Sequence, residues 1–123
     1  MFTRIIDPAA PNTGAYSPAL KVGDFVFVSG QGPIDPQGNI VSGSIESEVA
    51  LTLENVSRLL AAAGARMDQV VKCTCYLADI ADFDAFDRVY RGYFGKVKPT
   101  RTTVAAGLAG IKIEIDAMAY VGK

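Results

Sequence analysis

The clearest hydrophobic pattern in the chain lies near its end. In Ile111-Lys112-Ile113-Glu114-Ile115-Asp116-Ala117-Met118-Ala119-Tyr120, the apolar Ile111, Ile113, Ile115, Ala117 and Ala119 alternate with the other five residues. A period of two predicts a strand with one apolar face and places Glu114 on the opposite face. Residues 99–106 read as a second strand, and Gly107-Leu108-Ala109-Gly110 between the two supplies glycines suited to a turn. The two runs are expected to pair as an antiparallel hairpin, with Ala106 opposite Ile111, Thr103 opposite Glu114 and Arg101 opposite Asp116. Arg101 and Glu114 would then be diagonal neighbours on one face, roughly 7–8 Å apart at the backbone.

Residues 2–6 form a short strand candidate, ended by Asp7-Pro8 and a loop through Pro11-Asn12-Thr13-Gly14. Residues 15–22, the turn signal Gly23-Asp24 and the aromatic and β-branched run 25–29 read as a hairpin whose ends carry Tyr16 and Ser29. The turn-rich stretch that follows ends the strand near Ser29. Over residues 44–63, Ile45, Val49, Leu53, Val56, Leu59 and Leu60 recur at helical spacing, with Glu46, Glu48, Glu54 and Arg58 on the other side. Ser44 or Ser47 caps this helix and Gly64 ends it. Residues 67–78 read as a central strand buried on both faces. Asp82 is a natural cap for a second helix, in which Phe83, Phe86, Val89, Tyr90, Tyr93 and Phe94 line one side and read as core. Leaving aside the short candidate at 2–6, the order β-β-helix-β-helix-β-β predicts one α+β domain over residues 1–123, a mixed sheet with both helices on one face. Its second face needs a cover, and self-association is the natural one.

Composition narrows the chemistry. The 123 residues carry 12 basic and 13 acidic side chains, a net charge of −1 with no basic run, which argues against a nucleic-acid partner. No apolar stretch reaches the roughly 20 residues that span a bilayer, and the first residues lack the layout of a signal peptide, so no membrane and a cytoplasmic location are expected. Histidine is absent, which removes serine- or cysteine-histidine catalysis and the commonest metal ligand. Cys73 and Cys75 would point to the same face of one strand, an arrangement that suits neither a disulfide nor a zinc site and reads as two core thiols. That leaves Arg101 and Glu114. A guanidinium that grips a carboxylate at two points, beside a carboxylate that positions water, makes a small-molecule site. The same pair also reads as a surface ion pair across two strands.

The chain resembles the RidA or YjgF-type reactive-intermediate deaminase family over essentially its whole length. The resemblance is carried by Gly14-Ala15-Tyr16-Ser17-Pro18, Val28-Ser29-Gly30-Gln31-Gly32-Pro33, Leu53-Glu54-Asn55-Val56, Ala62-Ala63-Gly64, Pro99-Thr100-Arg101-Thr102-Thr103-Val104 and Ile113-Glu114-Ile115. It implies a chorismate-mutase-like α+β fold and a homotrimer with sites in the clefts between subunits. The activity it implies is hydrolysis of 2-imino and 2-enamino acids, such as 2-aminoacrylate and 2-iminopropanoate, to 2-oxo acids and ammonia, without metal or cofactor. Arg101 would hold the substrate carboxylate and Glu114 would position the water. Tyr16, Ser29 and Gly30 would line the pocket. Thr103 stands where many members have cysteine and would offer mainly its backbone. Asp87 stands where several have asparagine, and its charge would disfavour a substrate with a second acid group. A pathway-specific deaminase acting on an aminomuconate-like acid, a non-catalytic trimer that binds 2-oxo or 2-imino acids, and an endoribonuclease-type activity are the alternatives.

Overall fold

Residues 2–9 and 14–123 are described by a computed structural model, and the part of the expected loop at Pro11-Asn12-Thr13 lies outside them. Phe2–Ile5 (β1), Ala19–Val22 (β2) and Phe25–Gln31 (β3) make an antiparallel meander. Its second turn passes through Gly23, whose φ of +57° is a conformation that glycine adopts at little cost.

The expected C-terminal hairpin does not form. Val70–Leu77 (β4) lies between Thr100–Ala105 (β5) and Ile113–Tyr120 (β6), and the full spatial order is β1-β2-β3-β6-β4-β5. β6 pairs antiparallel with β3 and β4, whereas β5 runs parallel to β4. A parallel pair needs a crossover, and the helix Phe83–Tyr90 (α2) supplies it. The glycine-containing link then passes over the end of β4, where the Ala106 amide donates to the Leu77 carbonyl and the Ala78 amide to the Lys112 carbonyl. Alternation had told which side chains share a face. It does not tell which strand is the neighbour.

The first helix, Ile45–Ala62 (α1), starts at Ser44, whose side chain accepts from the Ser47 amide at 3.1 Å, and ends before Gly64 at φ +80°. Its six expected apolar positions are all buried against the sheet. Glu48, expected on the outer side, is only 1% exposed. It belongs to the inward stripe 45, 48, 49, 52, 53, 56, and it is tolerated there because it accepts from the Gly43 amide (3.1 Å), the Lys112 amide (2.9 Å) and Lys112 Nζ (3.1 Å). Burial raises its pKa, but the two amides and the ammonium outweigh that and hold it below the ordinary value.

β4 differs from its expectation too. Residues 67–69 form a 3-10 turn before it, and within the chain only one face is buried: Val70, Cys73, Cys75 and Leu77 point toward the helices, while Val71 and Lys72 are exposed. Asp82 occupies the N-cap position of α2 without a side-chain cap bond. Asp79 instead accepts from the Ala81 amide at 2.9 Å and starts a 3-10 turn that leads into the helix. Both helices cover the same face, as expected, with α1 across β3 and β6 and against α2. None of the helices among the described residues is long and apolar enough to cross a membrane. The other face is open. Phe25, Phe27 and Tyr120 are each about 40% exposed there, with the Phe25 and Tyr120 rings 5.2 Å apart.

Candidate functional site

Arg101 pairs in the β4–β5 ladder with Cys73, and Thr103 with Cys75, so both point to the helix face. There α2 forms a seat for the guanidinium. Its Cζ lies 5.4, 5.2 and 4.8 Å from the ring centroids of Phe83, Phe86 and Tyr90, within cation–π range. Nη1 donates to Asp87 Oδ1 at 2.7 Å. Residues 83, 86, 87 and 90 are spaced i, i+3, i+4, i+7, so one helix face supplies three rings and a carboxylate. Asp87 Oδ2 accepts from Arg91 Nη2 at 2.5 Å. The hydrogen bond from Arg101, followed by that from Arg91, holds the Asp87 carboxyl below its usual range. The aromatic stripe is core, as its spacing suggested, with Phe86 fully buried and Tyr90 nearly so. It has a second role that periodicity does not signal.

Arg101 is partly open to solvent, at 23%. Its other guanidinium N–H groups have no partner among the described residues and can grip a carboxylate at two points. Burial pushes the neighbouring thiols up, Cys73 to about 11 and Cys75 higher still, which favours the neutral thiol over the nucleophilic thiolate. Thr103 Oγ1 and Tyr90 Oη are buried without a hydrogen-bond partner among the described residues.

Glu114 is on the open face, paired in the ladder with Tyr76. Beside it the register of β3 against β6 shifts between Val28 and Gln31, which frees Ser29 and Gly30 from regular pairing. A Cβ at Gly30 would lie 2.9 Å from Glu114 Oε2, so the absence of a side chain there makes room for the carboxylate. Ser29 Oγ donates to the Ser17 carbonyl at 2.6 Å, and its amide donates to the Pro18 carbonyl at 2.9 Å. These bonds tie down the loop that bears Tyr16, itself 57% exposed. From behind, Asn55 of α1 donates to the Gly32 and Ile34 carbonyls, both at 2.9 Å. A groove of about 370 Å³ runs from Ser29 and Gly30 along this face, past Asp116 and Thr74 to Lys72 and Met118.

The expected adjacency of Arg101 and Glu114 is therefore overturned. They occupy opposite faces of the sheet, because β4 separates their strands and the ladder aligns Arg101 with buried Cys73 but Glu114 with half-buried Tyr76. Asp87 and Thr103 go with Arg101, whereas Tyr16, Ser29 and Gly30 go with Glu114. No three Cys, Asp or Glu among the described residues are grouped to share a metal ion.

A mixed sheet with two helices on one face and an open second face, and with an arginine of its edge strand seated on aromatic rings of the helix side, defines an α+β protein. Within that class the chain belongs to the YjgF/RidA family, whose model, described as Endoribonuclease L-PSP, matches residues 7–121. A RutC family protein of Pyrococcus abyssi is 46% identical over 110 residues, 87% of either chain. The structure of E. coli TdcF with bound serine is similar at a TM-score of 0.88 and 32% identity, covering 96% of this chain and 98% of that one. RidA from an Antarctic Psychrobacter is similar at 0.87 and 32%, covering 97% and 99%.

Proposed function

We propose that the chain hydrolyses small 2-imino and 2-enamino acids to 2-oxo acids and ammonia, at a site completed between copies of the chain. The observation that carries this reading is the Arg101 guanidinium, fixed by Asp87 and three rings yet with unpaired donors at a partly open edge. E. coli TdcF, a relative by structure, holds serine, a molecule with a carboxylate beside a nitrogen-bearing carbon.

Arg101 holds the substrate carboxylate and so fixes the neighbouring C=N carbon. An enamine becomes the imine by taking a proton at its terminal carbon. The protonated imine is already electrophilic, so orientation, a placed water and a proton acceptor suffice. Water adds to the carbon as one of its protons passes to the Glu114 carboxylate, giving a carbinolamine. Glu114 returns that proton to the nitrogen, the C–N bond breaks, and the hydroxyl proton leaves with the nitrogen as ammonium while the C=O of the 2-oxo acid forms. Tyr16, Ser29 and Gly30 shape the cavity around Glu114. Because Arg101 and Glu114 lie on opposite faces of one sheet, the arginine edge of one copy meets the Glu114 end of the next in a closed homotrimer, with the exposed aromatic face covered in the assembly. The charge on Asp87 is countered by two arginines, so it repels a second acid group less than its isolated charge would suggest. A net charge of −1 and the absence of histidine give less support to the ribonuclease activity in the family model's description.

The test is the rate of 2-oxo acid release when imine freshly made from alanine by an amino-acid oxidase meets the protein. Acceleration is expected, and Arg101→Ala should abolish it while thermal unfolding stays close to that of the parent. An Arg101→Ala protein that works at the parent rate would refute the carboxylate clamp.

A further inference from the structure

We propose that Arg91 is a positioning residue for carboxylate binding, acting through Asp87 to keep the Arg101 site positive. This rests on the deaminase reading of Arg101. Asp87 is the one acidic partner of Arg101 among the described residues, at 2.7 Å. A carboxylate that close to a guanidinium cancels its charge and competes with an incoming anion for the same donors. Alone, the Arg101–Asp87 pair would be neutral toward a 2-oxo or 2-imino acid. Arg91 alters this. Its Nη2 takes the second oxygen of Asp87 at 2.5 Å from the residue that caps the C-terminal end of α2, with the acid N-terminal to the base, the favourable order for an i,i+4 pair. The three groups together carry a net charge of +1.

The bridge also fixes geometry. With one oxygen on each guanidinium, the Asp87 carboxylate is held from both sides, and the fork of Arg101 cannot turn about it without breaking one of the bonds. The Arg91 side chain is 67% exposed, so its pair with Asp87 has little to offer stability; its effect falls on the site. Lys98 Nζ, bonded to the Arg91 carbonyl at 2.8 Å, adds a further positive charge at this end of α2. Arg88 does not share the role, since it is turned toward Glu46 at 3.8 Å. The ligand class that suits a +1 site of this kind is a small monocarboxylate.

The experiment measures the dissociation constant of 2-oxobutanoate, an unreactive product analogue, by calorimetry at low and high salt. The proteins are the parent, Arg91→Ala, Arg91→Lys, Arg91→Ala combined with Asp87→Asn, and Arg101→Ala. At low salt Arg91→Ala should weaken binding about fivefold, and the loss should shrink as salt screens the charge. Arg91→Lys should recover most of it, and the double variant should bind more tightly than Arg91→Ala because the cancelling anion is gone. A purely structural role for Arg91 would give neither the salt dependence nor that reversal. If Arg91→Ala binds within about twofold of the parent at low salt while Arg101→Ala does not bind, the inference falls and the clamp stands. If Arg101→Ala binds as the parent does, the clamp falls and the inference with it.

Discussion

A methyl group at residue 30 would meet a carboxylate oxygen of Glu114 at 2.9 Å. The displaced atom is the far end of a flexible side chain, so Gly30→Ala should leave the fold intact, with thermal unfolding near that of the parent. Its cost should appear in catalysis: a shifted carboxylate mispositions the water, and kcat for imine hydrolysis should fall on the order of tenfold or more. A Gly30→Ala enzyme with parental kcat would remove Glu114 from the reaction. At this scale, residue type, the alternating run and the resemblance single out Arg101 and Glu114, but not their placement on opposite faces of the sheet. The seat around Arg101 was not legible either. A stripe of Phe83, Phe86 and Tyr90 reads as core because it is core, and nothing in its spacing reveals that the same ring faces also receive a cation from a strand 11 to 18 residues away.

Glu48 is where helix α1 departs most from its pattern. A glutamate at helical spacing is counted as outward until its partners are known, and two of those partner atoms belong to Lys112, 64 residues on. Replacement by glutamine keeps the shape but removes the charge and one of the acceptors, so Glu48→Gln should lower unfolding free energy by about 2–4 kcal/mol at neutral pH. The carboxyl titrates below its ordinary 4.5 in the folded state, so its contribution is present above that value and is lost as pH falls through the folded-state pKa. Asp7, held down by Arg58, and Asp87 act in the same direction. Stability should therefore fall as pH drops below about 4.5, less steeply in Glu48→Gln than in the parent. Denaturant unfolding across acid pH measures this, and an equal slope in the two proteins would show that Glu48 is not held ionised by folding. The helices and strands themselves were legible to within a few residues. Pairing was not: a period of two serves equally for a hairpin and for two strands with a third between them, and only the crossover through α2 decides.

For the whole molecule, the separation of Arg101 and Glu114 onto two faces sets a test that needs no structure of an assembly. Arg101→Ala and Glu114→Gln chains, each inactive alone, should regain activity when co-refolded in equal amounts. Each mixed trimer would then join an intact arginine to an intact glutamate at one of its three interfaces, about a quarter of all interfaces in a randomly assorted population. A mixture that remains inactive although mass measurement shows mixed trimers would refute a site shared between the arginine of one copy and the glutamate of the next. An uncovered second face was anticipated from having two helices for a two-sided sheet, but the aromatic rings of Phe25, Phe27 and Tyr120 on it were not. The strand order has one more consequence. The last strand in sequence, β6, is central, between β3 and β4. Until it is synthesised, a growing chain can make only two separate fragments of sheet, β1-β2-β3 and β4-β5, each with an open edge where β6 belongs. An emerging polypeptide is thus most prone to aggregation just before β6 appears, and loss of residues 113–120 would divide the sheet rather than trim it.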